Sequence, residues 1–183
     1  MQVFIGSMFG DGNIFPNEGR HHAYSEIHSL KQKDYLLWKM RLMSKLFNFA
    51  NSPYYFNTYD HRTKKQYSQV KINSSDRKKL EAPYKLFYKK NKKTVSREVL
   101  CKLDELDLAV WYMDDGNYSY GRTSSFLATY SFTFAENVAV QIFLKRKYNL
   151  ESKVSHKDDG QYIQFDIKNT EKFLQIIKRY IHK

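Results

Sequence analysis

Leu108-Ala109-Val110-Trp111-Tyr112-Met113-Asp114-Asp115-Gly116 is an apolar run stopped by acids and a glycine, and Phe4-Ile5-Gly6-Ser7-Met8-Phe9-Gly10-Asp11-Gly12 is a second run of the same design. An Asn follows each (Asn117, Asn13), and Asp115 stands 104 positions after Asp11. Both runs read as helices, over 3–10 and 105–114, each ended by a glycine taking the left-handed conformation past the last turn. The acid then sits at the negative end of the helix dipole, where a carboxylate is disfavoured by a few tenths to about 1 kcal/mol. Either run alone is an ordinary helix stop. Two copies in matching context point instead to two half-sites on a pseudo-twofold axis, with their carboxylates together around a divalent metal. Hard Mg²⁺ prefers carboxylate and carbonyl oxygens, and a helix end offers both. Gly6 and Gly10 are four apart on one helix face, so a partner helix can approach closely there.

The context repeats as well. Gln66-Tyr67-Ser68-Gln69-Val70-Lys71-Ile72 parallels Gln161-Tyr162-Ile163-Gln164-Phe165-Asp166-Ile167, 95 positions on, and Lys45–Phe49 loosely parallels Arg146–Leu150, 101 positions on. A period near 100 is too long for a solenoid repeat and fits a duplicated domain, with halves at 1–103 and 104–183.

Among the 183 residues, 42% are hydrophobic and 27% charged, the balance of a globular chain able to bury a core. The net charge of +12 points to a polyanion partner. That charge is lopsided: residues 1–103 carry 20 Lys/Arg against 8 Asp/Glu, and residues 104–183 carry 11 of each. The single cysteine, Cys101, suits a reducing compartment, hence an intracellular location in cytoplasm, nucleoid or organelle matrix. The six histidines have no zinc-site spacing, no apolar run approaches a membrane span, and no signal peptide precedes the first motif.

Periodicity predicts strand 24–30, helix 33–49, strands 54–59 and 66–73, and two short basic helices within 76–106 split by 91–94. The second half predicts strand 123–132, helix 135–148, strands 152–157 and 161–167 around a hairpin turn, and helix 170–181. One further strand is allowed after Asn13 or Asn117. The class is α+β, with two pseudo-symmetric halves packed through their motif helices and an antiparallel sheet in each, the pair forming a saddle over a duplex. Strands expose alternate residues, and Gln, Asn, Arg and Lys pair with base edges. The candidates for DNA contact are His28, Asn57, Tyr59, Arg62, Lys64, Lys65, Gln69, Lys71, Asn73 and Lys92 in the first half. Those in the second are Arg122, Thr129, Lys153, Lys157, Gln161, Gln164 and Lys168. Sequence alone leaves open which face each one occupies.

The two motif helices resemble the paired motifs of the LAGLIDADG homing endonucleases, with 108–116 the closer copy. Asn91-Lys92-Lys93-Thr94-Val95 and Ser131-Phe132-Thr133-Phe134 also resemble the family, and two motifs mark its single-chain type. Phe9 and Ser7 depart from the name motif at positions that carry no chemistry. The resemblance implies a monomeric, site-specific, Mg²⁺-dependent endonuclease of double-stranded DNA, with Mn²⁺ or Ca²⁺ able to substitute in binding. It implies Asp11 and Asp115 as the essential acids, aided by the carbonyls of Gly10 and Asp114, and Lys93 as a basic residue at the phosphate. Cleavage across the minor groove would leave short 3′ overhangs. A free-standing chain without splicing blocks suggests intron encoding. Family members of this type tend to continue into a tail with a second basic residue. Here the sequence stops at Tyr180-Ile181-His182-Lys183, leaving Lys178 or Lys183 for that role. The same scaffold also serves as an RNA maturase binding its own intron, or as a catalytically dead DNA-binding regulator.

Overall fold

In the computed structural model the described residues are 3–17, 21–49, 52–74, 77–121, 124–157 and 160–182. Helix α1 (Phe4–Phe9) is buried along its whole length against α5 (Glu105–Asp115). The contact is close because glycines line it. A Cβ on Gly6 would lie 2.3 Å from the carbonyl oxygen of Asp107, and one on Gly10 would lie 2.5 Å from Asp114 Cβ. Phe9 stacks on Trp111 with ring centroids 4.8 Å apart, and Gly6 N–H donates to Asp107 Oδ1 at 2.9 Å. Asp107 also closes a capping box with Asp104, so one carboxylate starts α5 and pins α1 to it.

The helix stops differ from the sequence reading. Neither Gly12, which follows Asp11, nor Gly116 has a positive φ, so neither adopts the left-handed conformation, and Gly10 has φ −92°. These glycines are required by space: a Cβ on Gly116 would meet the Tyr112 ring at 2.2 Å.

A strand follows each motif helix, β1 (Asn13–Asn17) after the turn that ends α1 and β7 (Gly116–Ser119) directly after α5. With β2 (His21–Ser29), β3 (Tyr54–Asp60) and β4 (Lys65–Ser74), β1 forms an antiparallel sheet of order β1-β2-β4-β3. With β8 (Ser124–Leu127), β9 (Lys153–Lys157) and β10 (Gly160–Phe165), β7 forms a second of order β7-β8-β10-β9. The fold is α+β, two antiparallel sheets in a saddle about the motif helices. Helices α2 (Lys33–Met43), α3 (Arg77–Phe87), α6 (Phe134–Tyr148) and α7 (Ile167–Ile177) accompany the sheets, and α4 (Arg97–Lys102) leads into α5. Val70, Ile72, Leu127, Ile163 and Phe165 face the core, in one continuous cluster with Phe4, Met8, Phe9, Val110 and Trp111.

Several boundaries shift for local reasons. Helix α2 ends at Met43 rather than 49. Residues 91–94 do split two short helices, but as a small hairpin, β5 (Tyr88–Lys89) with β6 (Lys92–Lys93). Strand β8 ends at Leu127, and β10 ends at Phe165 because the Asp166 carboxylate caps α7.

Candidate metal centre and nucleic-acid interface

Because α1 and α5 pack together, the Asp11 and Asp115 carboxyls come close enough for each to feel the other's charge. Asp11 N–H lies 3.4 Å from Asp114 Oδ2, and Ala128 N–H donates to the Asp115 carbonyl at 2.9 Å. Burial pushes the Asp115 carboxyl up to about 7, helped by the like charges of Asp11 and Asp114 and opposed by Lys93 and Lys39. Asp11, 41% exposed, is also raised by burial, but His28 and Lys39 counter it. The two motif acids therefore sit in unequal fields.

Lys93, from the β5–β6 hairpin, reaches the end of α1 and lies within electrostatic reach of both acids. Its Nζ donates to the carbonyls of Gly10 at 3.2 Å and Gly12 at 2.7 Å, and burial lowers its pKa against the pull of Asp115 and Asp11. The Gly10 carbonyl is thus already engaged by an ammonium. Asp114 lies beneath. Its Oδ1 accepts from Tyr35 at 2.8 Å and from Lys39 at 2.7 Å, and its Oδ2 accepts from Lys39 at 3.0 Å. Burial, with Glu26 and Asp11 nearby, raises it to about 6 against the pull of Lys39. Among the described residues, ligand atoms of Asp11, His28 and Asp114 lie within 4.8 Å of one another, close enough to share one metal ion.

The sheet faces follow from register. On β4, Val70 and Ile72 point to the core, so Gln69, Lys71 and Asn73 point away from it. Directly paired residues share a face, which adds Ser25, Ile27, Tyr54 and Phe56 to that outward set. On β10, Ile163 and Phe165 face the core and Gln164 faces outward, together with Phe126 and Lys153. A pocket of about 300 Å³ beside Asp11 is lined by Asn13, Phe15, Ser25, Glu26, Ile27 and Lys71, linking the first outward face to the acid.

The sequence profile of the LAGLIDADG DNA endonuclease family matches residues 1–173. The chain belongs to this family. Protein RecA of Mycolicibacterium chitae is 34% identical over 120 residues, 64% of this chain but only 26% of that protein. The intron-encoded endonuclease ai4 of Dictyostelium discoideum is 36% identical over 104 residues, 54% of this chain and 63% of that one. The homing endonuclease I-WcaI, solved bound to its DNA recognition sequence, superposes with a TM-score of 0.88 at 21% identity, covering 99% of this chain and 81% of that one. The fold is therefore shared across the chain, while this chain spans about a quarter or less of the RecA relatives.

Within this LAGLIDADG fold the candidate DNA contacts sort into groups. Lys65, Gln69, Lys71, Asn73, Lys153, Lys157 and Gln164 share the outward faces. Arg62 and Lys64 lie in the β3–β4 turn and Lys92 in the small hairpin, all exposed. Others are corrected. His28 and Thr129 are 3% and 1% exposed and face inward, His28 to Glu26 and Asp11, Thr129 to Asn137. Asn57, Tyr59 and Gln161 fall on the opposite sheet face, with the parity of Val70 and Ile163. Lys168 lies in the first turn of α7, off the strand, and Arg122 lies outside the described residues. Of the two candidates for a second basic residue, Lys178 is exposed and bonded to Gln175, and Lys183 lies outside the described residues.

The sequence reading missed Glu26, Tyr35 and Lys39 at the site. Glu26 and Lys39 are buried ions, and polarity at core-facing positions of a strand and a helix is the signal that could have found them.

Proposed function

We propose that this chain is a site-specific double-strand DNA endonuclease of the homing type, working as a monomer with halves at 1–103 and 104–183. The observation that carries the reading is that Asp11, Asp115 and Lys93 meet within electrostatic reach at the paired ends of α1 and α5, beside two sheets of matching strand order. The basic first half, Lys71 and Asn73 in it, and Lys153 and Gln164 in the second half suit phosphate contact and base-edge readout in adjacent major-groove segments.

The donor set fits a divalent cation: carboxylates held at raised pKa values beside one another are what a cation relieves. Asp11 and Asp115, with the carbonyl of Asp114 and that of Gly10 once Lys93 releases it, would hold Mg²⁺, with Mn²⁺ as a substitute and Ca²⁺ for binding alone. The bound ion supplies Lewis-acid polarisation of the scissile phosphate and a more acidic water. The chain's own groups do the rest. Asp11 and Asp115 would each orient a water for attack on one strand; the proton that water loses passes to solvent, and the P–O3′ bond breaks with the 3′-oxygen taking a proton from solvent. Lys93, still held by the Gly12 carbonyl, offsets charge gathering on the phosphate. Cleavage across the minor groove with short 3′ overhangs, and intron encoding in an intracellular host compartment, complete the reading. The intron-encoded relative supports the last of these. No helix among the described residues is long and apolar enough to cross a membrane.

The test is incubation with a randomised duplex library and Mg²⁺, followed by sequencing of the ends. Cuts at one long motif with a fixed stagger support the reading. Selection of bound duplex without cutting by Mg²⁺ or Mn²⁺ refutes it in favour of a DNA-binding regulator, and selective retention of host intron RNA instead favours a maturase.

A further inference from the structure

One residue at the acid pair is left unused by the proposed reaction. Lys39 is completely buried. Its Nζ bonds to Glu26 and to both oxygens of Asp114, and lies 4.5 Å from the centre of the Tyr35 ring. Glu26 in turn accepts from Tyr24 at 2.7 Å and pairs with His28 at 2.9 Å, and His28 Nε2 stands 3.6 Å from Asp11 Oδ2.

The second half builds the same place without charge. Asn13 pairs with Ser25 and Asn117 with Phe126, while α2 begins at Lys33 and α6 at Phe134. Both comparisons set the second half 101 positions after the first, so Glu26 and Lys39 correspond to Leu127 and Val140, each fully buried. Asp114 corresponds to Gly10 across the motif offset of 104. An apolar lining therefore satisfies the fold at this position. Buried ions that a hydrophobic pair can replace are weak contributors to stability, which directs attention to what the charges do.

We propose that Lys39 is a positioning residue, the resident counter-ion of Asp114, which keeps that carboxylate from joining Asp11 and His28 around a divalent cation. The proposal rests on the metal-centre reading above. The three ligand groups are close enough for one ion to bridge them, yet both Asp114 oxygens are committed to the ammonium. Mg²⁺ gives up its water reluctantly and is held by one or two carboxylates in phosphate-processing sites. A third carboxylate would displace water or phosphate from the ion and tighten binding at the expense of turnover. With Lys39 in place, Asp114 is a strut and the motif acids face the ion.

The experiment titrates Mn²⁺ into DNA-free protein and follows free Mn²⁺ by electron paramagnetic resonance, for wild type, Lys39→Met and Lys39→Met/Asp114→Asn. Lys39→Met is expected to bind Mn²⁺ about tenfold tighter or more, and adding Asp114→Asn is expected to abolish the gain. Because Lys39→Met removes the ammonium shared by two buried carboxylates, Glu26→Gln/Lys39→Met is run beside it, with thermal denaturation with and without Mn²⁺. The expected result there is a larger Mn²⁺-induced rise in Tm than in wild type. A folded Lys39 variant with the wild-type isotherm and Tm response overturns the proposal, as does a gain that survives Asp114→Asn. Wild type that takes up no Mn²⁺ refutes the metal-centre reading instead, and a gain in the Lys39 variants then still supports the role of Lys39.

Discussion

Gly6→Ala tests the helix pair that brings the two acids together. An added Cβ would lie 2.3 Å from the carbonyl oxygen of Asp107, 2.9 Å from its Cα and 2.9 Å from Val110 Cβ, where ordinary contact begins at 3.4 Å. Two of these atoms are backbone, so no rotamer relieves the clash and α1 and α5 must separate by about 1 Å. The Gly6 N–H to Asp107 Oδ1 bond, 2.9 Å long, is then lost. Overpacking costs about 1–3 kcal/mol, and the orphaned buried N–H about 1–3 more. The better helix propensity of Ala returns about 1 kcal/mol. The net loss is about 1–5 kcal/mol, a large share of a domain's total stability. Urea denaturation of wild type and variant measures it. Gly121→Ala is the control, since a Cβ there meets nothing within 4 Å, and its change should stay within about 0.5 kcal/mol. A Gly6→Ala loss below about 1 kcal/mol would refute the close packing of α1 on α5.

Further consequences concern the site and its charges. Asp11→Asn and Asp115→Asn are each expected to abolish double-strand cleavage while duplex affinity in Ca²⁺ stays within a few-fold; cutting at the wild-type rate by either variant would remove that acid from the metal centre. The Asp115 carboxyl is raised to about 7 in the folded state, above its unfolded value of about 3.9. Its protonated form is thus favoured on folding, and metal-free stability falls as pH rises between those two values. Metal-free Asp115→Asn should therefore be more stable than wild type at pH 8, by on the order of 1–3 kcal/mol, and a less stable variant by thermal denaturation contradicts the crowding of the acids. Lys93→Met should lower the rate of cleavage by about 10²-fold or more with little change in duplex affinity, whereas an equal loss in both would make it a phosphate clamp only. Duplex affinity should fall steeply with salt through phosphate neutralisation, and a flat response in a filter-binding titration argues against a duplex ligand.

By itself the sequence determined the parts whose physics is local. The apolar runs with terminal acids and the hairpin signals mark elements wherever they fold, and the repeat of 104 positions predicted matching elements in the second half. Lys93 was legible only through resemblance, since a loop lysine in a chain of 31 Lys and Arg has no periodicity to distinguish it. Tertiary structure decided the rest. Face assignment on the strands needed the register, because a side-chain period of two flips every candidate with a one-residue shift; this separated Gln69 and Gln164 from Asn57 and Gln161. The left-handed glycines expected at both helix ends gave way to glycines that make room for Asp114 and Tyr112, a demand set by a neighbouring helix or turn that local propensity does not contain. The buried Lys39 with Glu26 and Asp114 likewise depends on three segments meeting far from one another in sequence. A lysine on an amphipathic helix reads as solvated until the fold encloses it, and only that enclosure gives its charge a partner to hold.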